Sequence, residues 1–177
     1  MDIAERLRAL IARRSRRHFT DEPVSEADVE RIVEIARFTG SARNRQPWRF
    51  VAVTDPRTRA ALASLGAYAQ HLAAAPLVLV LLAHDNTYRD TEFDVGRVSQ
   101  SLTLAASALG FGTCLATFYP DENVRRAAEL LRVTGPWLPR HALSVGRPAP
   151  PPADQLGSPA IPTGRLPVSE LLSWHRR

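Results

Sequence analysis

Two polar stretches of this chain carry residues whose types and spacing could do chemistry. In RRSRRHF, residues 13 to 19, the forked guanidinium donors of Arg13, Arg14 and Arg17 surround the hydroxyl of Ser15. Set after a helix end, they would converge on a phosphate monoester, because a guanidinium presents a planar pair of donors that matches two phosphate oxygens. Arg16 would then face outward. In SARNRQPWRF, residues 41 to 50, Ser41, Asn44, Arg45 and Gln46 stand together directly before a Pro-Trp step and an apolar run. The amides of Asn44 and Gln46 supply the donors and acceptors that suit the edge of a planar heterocycle with ring nitrogens and carbonyls. One stretch fits a phosphate and the other the edge of a ring. Taken alone, a charge run such as residues 13 to 17 is a solvated face; the pairing with the second stretch raises it above that reading.

The elements that must position these stretches alternate in type. Asp2 followed by Glu5 marks a capped start, and Ile3, Leu7, Leu10 and Ile11 recur at helical spacing, which predicts a helix running into Arg13. Ser25-Glu26-Ala27-Asp28 opens a second helix with Val29, Ile32, Val33 and Ala36 on one face. Phe50 to Val53 reads as a short strand ended by Asp55-Pro56, and the unbroken apolar run Leu77 to Leu82 as a fully buried strand. Phe93 to Leu109 reads as a largely apolar helix that buries Val95, Val98, Leu102, Ala105, Ala106 and Leu109. Beyond Gly110 and Gly112 the sequence predicts a brief strand around Cys114 to Phe118, a helix capped by Asp121 and running through Arg132, and a last strand from His141 to Val145. RPAPPPADQLGSPAIPTGRLP is too proline-rich for regular structure, and VSELLSWHRR is a short amphipathic helix. An extended segment ending in an apolar-faced helix is either a disordered linker with a fraying end or an arm that needs a surface to lie on, and the second reading points to a second subunit. The chain reads as one domain, 1–177, with 148–177 as a C-terminal arm docking on that subunit.

Composition narrows the function classes. At 177 residues and 45% hydrophobic content the chain supports one well-buried core. Its 23 basic residues are all arginine, so the P-loop lysine, a lysine Schiff base to pyridoxal phosphate and a kinase-type catalytic lysine are all excluded. Such uniformity makes the net charge of +5 a compositional bias and a weak argument for nucleic acid. Glycine offers only Gly110-Phe111-Gly112, without a dinucleotide fingerprint. The single cysteine, Cys114, and five scattered histidines leave no disulfide and no metal-ligand spacing. The longest apolar run, Ala73 to Ala83, is interrupted by Pro76, and MDIAERLRAL has no apolar signal region, so a cytoplasmic protein without a membrane segment is expected. A bound anion would have to be held by arginine and backbone amides.

RRSRRHFTDEPVSEADVERIVEIARFTGSARNRQPWRFVAV resembles the N-terminal region of the nitroreductase family of FMN-dependent oxidoreductases. FDVGRVSQSLTLAASALGFGTC is similar to that family's central helix and following strand, and GRLPVSELLSWHRR to its closing segment. The resemblance implies an α+β fold with a central, mainly antiparallel sheet flanked by helices, in an interlocked homodimer holding two FMN molecules at the subunit interface. Carried over by position, Arg13, Arg14, Ser15 and Arg17 contact the FMN phosphate and ribityl chain, and Arg165 reaches the same phosphate. Ser41, Asn44 and Gln46 line the flavin from the partner subunit or bond its ring edge. Leu115, Ala116 and Thr117 pass over the isoalloxazine and offer it backbone groups. The implied activity is hydride transfer from NAD(P)H through flavin N5 to a small organic oxidant, by a ping-pong mechanism that needs no catalytic side chain.

Phe118, Tyr119 and Tyr68 are candidates to stack on a substrate ring, His71 and His84 read as structural, and Cys114 as a small core hydrophobe. HDNTYRDTEF, between two predicted elements, is short where longer family members carry extra helices over the active site. Two rivals stand beside the oxidoreductase: a non-catalytic flavin-binding or regulatory module, and an arginine-rich nucleic-acid-binding protein.

Overall fold

The computed structural model describes residues 2–86, 88–153 and 164–175. Four strands, β1 (Trp48–Val53), β2 (Leu77–His84), β3 (Gly112–Thr117) and β4 (Trp137–Gly146), form one sheet in the order β1-β2-β4-β3, with every neighbouring pair antiparallel. The helices are α1 (Ile3–Ile11), α2 (Glu26–Ala36), α3 (Pro56–Ala63), α4 (His71–Ala74), α5 (Thr91–Ala108), α6 (Asp121–Leu130) and α7 (Val168–Leu171).

β2 lies in the middle of this arrangement, which is why its sequence is apolar at consecutive positions. Leu77, Leu79, Leu81 and Ala83 pack under α2 and α5, while Val78, Val80 and Leu82 pack on the opposite face against α3, α4 and α6. Side chains alternate between the faces of a strand, so a strand covered on both sides must be apolar throughout. Each fully buried leucine or valine contributes about 1.5–3 kcal/mol. The α+β arrangement implied by the sequence is the one observed.

Several boundaries differ from expectation. α1 has its full capping box, with Asp2 accepting from the Glu5 amide at 2.7 Å and Glu5 accepting from the Asp2 amide at 3.0 Å, but it ends at Ile11. α5 starts at Thr91 and leaves Phe93 exposed. α6 begins with Asp121 inside the helix, and Pro120 occupies the capping position. α3 and α4 were not foreseen; the signal for α3 was present in Asp55, whose carboxylate accepts from the Thr58 amide at 2.7 Å, and in Pro56 at the first helical position. β4 is longer than His141 to Val145, and α7 is one turn where a helix to Arg177 was expected. Residues 154–163 of the expected arm lie outside the described residues. The arm's first residues are tied to their own chain, since the Ala149 amide donates to the His18 carbonyl at 3.0 Å and Phe19 bridges Pro148.

Among the described residues, no helix is long and apolar enough to cross a membrane, and no cluster of His, Cys, Asp and Glu could hold a metal ion.

Candidate functional site

The site is organised by the pairing of an edge strand with a long helix. β3 is the outer strand of the sheet, and the chain returns to it directly from the end of α5 through Gly110, whose φ of 84° suits glycine. α5 and β3 therefore run side by side in opposite directions. Along α5, Glu92, Gly96, Gln100, Thr103 and Ser107 follow at intervals of three or four residues, which puts them on one face. Thr113, Leu115 and Thr117 share the matching face of β3. Two hollows, of about 320 Å³ and 410 Å³, border this line without sharing a lining residue, the first reaching Leu115 and the second Thr117. From Gly112 to Thr117 the strand spans about 17 Å at its usual rise.

At one end Arg13, Arg14, Ser15 and Arg16 line the first hollow together with Ser107 and Thr113. The Arg16 amide donates to the Thr113 carbonyl at 2.8 Å, fixing this segment across the outer edge of β3. Gly112 permits the crossing: a Cβ there would stand 2.8 Å from Arg16 Cβ and Cγ and 3.1 Å from Pro148 Cγ. Arg13 Nη1 donates to the Ser107 carbonyl at 3.0 Å, meeting the last turn of α5 where the helix dipole is negative. No acidic side chain lines this hollow, and among the described residues Arg13, Arg14, Arg16 and Arg17 make no ion pair. The hollow is electropositive, with guanidinium donors free for an anion.

The structure divides the arginine run differently from the sequence reading. Arg16, expected to face outward, lines the hollow, whereas Arg17 lies outside its lining. Arg17 is close enough to two buried groups to act on them through its charge. Burial is the main cause that lowers the pKa of His71 from its ordinary 6.5, with Arg17 adding to it. The His71 Nδ1 is 2.9 Å from Ser144 Oγ and its Nε2 is buried without a hydrogen-bond partner, while the Leu115 backbone opposes the shift. Burial likewise raises the Cys114 thiol above its ordinary 9.0, against smaller opposing effects of Arg17 and Ser15. Both groups are neutral near pH 7, His71 as a structural residue and Cys114 as a core thiol at the floor of the hollow.

Leu115 lines the first hollow with its side chain 49% exposed, and Thr117 lines the second. Backbone groups of residues 113, 115 and 117 point away from β4 to the outer edge of the sheet, because this direction repeats every second residue; the Thr113 carbonyl is taken by Arg16 and the Thr117 carbonyl lies against Gly66, whose Cβ position would be 2.5 Å from it. The Ala116 side chain is turned into the opposite core and is 4% exposed. The second hollow is also lined by Glu92, Tyr119, Arg140 and His141. Of the three aromatic candidates, Tyr119 and Phe118 both border it, Phe118 with its side chain buried in the core, and Tyr68 is exposed outside both hollows.

The loop of residues 41–46 belongs to neither hollow of its own chain. Arg43, Asn44 and Gln46 all have positive φ, between 48° and 53°, a costly conformation for residues with a Cβ. Anchors at the start of α5 hold it there. The buried Asp94 carboxylate accepts from the Ala42 amide at 2.9 Å, Arg45 pairs with Asp90 and lies 4.2 Å over the Tyr88 ring, and Ser41 Oγ accepts from the Gln46 amide at 2.9 Å. Asn44 and Gln46 are left exposed, with the Gln46 side-chain amide donating to Asn44 Oδ1 at 3.1 Å. α5 carries this loop at its beginning and Arg13 at its end; the 13 residues from Asp94 to Ser107 correspond to about 20 Å. Arg165 is exposed, its Nη1 donating to the Gly164 carbonyl at 2.7 Å, and it is not part of the hollow's lining. The α5 face of Glu92, Gln100, Thr103 and Ser107 was missed in the sequence, although a polar stripe at helical spacing was there to be read.

Comparison with known proteins agrees with this architecture. The nitroreductase family model matches residues 10–68 and 63–147. The chain is 32% identical over 158 residues to an oxygen-insensitive NADPH nitroreductase of Salmonella typhimurium, with 81% of this chain and 65% of that protein covered. It is 26% identical over 166 residues to an FMN reductase [NAD(P)H] of Bacillus subtilis, with 82% and 66% covered. An FMN-dependent nitroreductase from Clostridium difficile shares the fold at a TM-score of 0.73 and 21% identity, covering 89% of this chain and 98% of its own. A family match across most of the chain, on a sheet and helix arrangement shared with solved members, leads to one conclusion: this chain belongs to the nitroreductase family.

Proposed function

We propose that the protein is an FMN-dependent oxidoreductase that takes hydride from NAD(P)H and gives it to a small organic acceptor such as a quinone, enone or nitroaromatic, by a ping-pong sequence. The observation that carries the reading is the hollow between α5 and β3, with arginines and no acid at one end and the outward-facing Leu115 backbone at the other. FMN needs that order: two negative charges at one terminus and a flat, hydrogen-bonding ring at the other. Arg13, Arg14 and Ser15 would hold the phosphate, with Arg17 and Arg165 contributing to the field around it. Leu115 and Thr117 would offer backbone groups to the ring, and Ala116 would keep the strand seated in the core between them. When bound, the flavin supplies the redox chemistry, accepting and donating hydride at N5. The chain's own residues orient the ring, supply positive charge and leave one face open to reactants.

The protein is further proposed to act as a cytoplasmic homodimer. α1 buries none of its residues, and Ile3, Leu7 and Ile11 are between 49% and 85% exposed. Val168, Leu171 and Trp174 of the terminal segment are also exposed. Each such side chain contributes about 1.5–3 kcal/mol when fully buried, so two apolar surfaces of this kind favour association. A second subunit also accounts for Asn44 and Gln46, which are presented outward from a costly loop and take no part in their own chain's hollows.

The test is the visible absorption spectrum of the purified protein, followed by identification of the chromophore released on denaturation. A yellow protein releasing FMN and oxidising NADH or NADPH with a quinone supports the reading. A colourless protein that takes up no added FMN overturns it.

A further inference from the structure

Beside the cofactor contacts, the second hollow contains a chain of three polar side chains from three different elements. Thr117 Oγ1, on β3, is 3.1 Å from His141 Nδ1, on β4, and His141 Nε2 is 3.4 Å from Glu92 Oε2, on α5. Thr117 sits two residues beyond Leu115 on the same face of the edge strand, at the end of β3 opposite the arginines. All three residues line the hollow.

A local irregularity of β4 builds this chain. Pairing with β2 passes from Leu81 with His141 to Leu82 with Pro139, which leaves Arg140 as an extra residue in β4. Pro139 has no amide to give to the ladder, and a bulge beside it suspends the usual alternation of side chains. Arg140 and His141, though consecutive, consequently both reach Glu92: Arg140 Nε lies 3.4 Å from Oε1 and His141 Nε2 3.4 Å from Oε2. In a regular strand one of them would point to the other face. Arg140 is also 3.3 Å from Asp121 at the start of α6, so its position is fixed from both sides of the sheet. Bonding by His141 is the leading cause that holds the Glu92 carboxyl below its ordinary value, with the charges of His141 and Arg140 adding to it and burial opposing it.

We propose that Glu92, His141 and Thr117 form a proton-delivery relay for the acceptor reduced at this end of β3, a role that rests on the oxidoreductase reading above. Reduction of a quinone or enone by hydride adds two electrons and one proton: hydride joins the conjugated system, an electron pair moves onto the carbonyl oxygen, and that oxygen needs a proton. With His141 as the cation, Nε2–H donates to Glu92 and Nδ1–H donates to Thr117 Oγ1, which frees the hydroxyl hydrogen for the hollow. Thr117 gives that proton to the acceptor oxygen while Nδ1 returns one to Oγ1. His141 is left neutral, with Nε2–H still on Glu92, and Nδ1 is recharged from water. The acceptor gains one hydride and one proton, and the relay regains its proton from solvent. Glu92 is a positioning residue; Thr117 is the group in contact with the acceptor. The charged or titratable groups facing His141 are Glu92 from α5, its neighbour Arg140, Asp121 held by Arg140, and, around the hollow, His84, Asp85, Tyr88 and Tyr119.

Two measurements test the relay separately from the cofactor. In the full chain freed of flavin, nitrogen NMR of the His141 ring, assigned with His141→Gln, reads the hydrogen bonds made by its two nitrogens at a single pH. Glu92→Gln should move the Nε2 signal and Thr117→Val the Nδ1 signal. Ring signals unmoved in both variants overturn the coupling. In the FMN-loaded protein reduced by NADH, reoxidation by a quinone is followed in stopped flow across pH 5.5 to 9. His141→Gln and Thr117→Val should each slow reoxidation by at least about tenfold at pH 7 and flatten its pH profile, the scale of a lost general acid. Thr117→Ser should restore both. Reoxidation with an unchanged rate and profile in His141→Gln overturns the proposal. A chain that binds no FMN refutes the oxidoreductase reading itself, and the ring-nitrogen signals of His141 then still decide whether the three residues are coupled.

Discussion

Replacing Gly112 by alanine tests how the first hollow is assembled. The added Cβ would stand 2.8 Å from Arg16 Cβ and Cγ, and ordinary contact begins at 3.4 Å, so Arg16 must move by roughly 0.6 Å. The contact falls on the Cβ of Arg16 as well as its flexible end, and Pro148 blocks the other side at 3.1 Å, so the backbone of the arginine segment has to give. Overpacking of this kind costs about 1–3 kcal/mol. Loss of the Arg16 amide bond to Thr113 adds about 1 kcal/mol. For a domain of this size the sum lowers the melting temperature by roughly 4–15 °C. On the proposed function, the same shift would move Arg13, Arg14 and Ser15 away from the FMN phosphate they are proposed to hold, and one lost charge-assisted bond of about 1.5–3 kcal/mol would weaken FMN binding at least about tenfold. Thermal melts of the flavin-free protein and FMN titration by flavin fluorescence read the two effects. A variant that keeps both its melt and its FMN affinity would refute the account of how the arginines are held.

Gly96→Ala is the opposite case: a Cβ there meets nothing within 4 Å, so it should raise the stability of the flavin-free chain by about 0.5–1 kcal/mol in a urea melt. Arg14→Ala, at an exposed arginine without an ion pair, should lower FMN affinity in a fluorescence titration while leaving the melt unchanged, whereas Arg13→Ala should lower both because it also removes the bond to the Ser107 carbonyl. Stability should fall as pH drops below 6.5, since His71 has a depressed pKa in the folded chain and the unfolded chain takes up the proton first; His71→Gln should reduce that slope in melts between pH 7 and 5. Cys114 should react slowly with a thiol reagent at pH 8, at a rate that rises on unfolding in urea. Truncation after residue 163 should shift the protein toward monomer in sedimentation velocity, because it removes Val168, Leu171 and Trp174 from the apolar surface.

The sequence by itself determined which segments are buried and what kind of ligand the chain can hold. An unbroken apolar run of six β-branched and leucine residues is too short for a buried helix and suits a strand covered on both faces, and β2 is one; the apolar repeat of α5 buries Val95, Val98 and Leu102 as its spacing requires. Arginine without lysine, and glycine without a fingerprint, already restricted anion binding to guanidinium and amide groups. These are local properties, carried by residues a few positions apart. The tertiary structure decided everything that depends on residues far apart in the chain. Arg16 belongs to the first hollow and Arg17 does not, because the chain crosses β3 at Gly112 and the crossing sets which side chains face α5. Asn44 and Gln46 stand at the far end of α5 from the arginines, a separation that no spacing within residues 13 to 46 could show. His141 reads in the sequence as the first residue of a strand. Only the bulge at Arg140 and the packing of α5 over the sheet put its two ring nitrogens between Glu92 and Thr117, which lie 49 and 24 residues away along the chain.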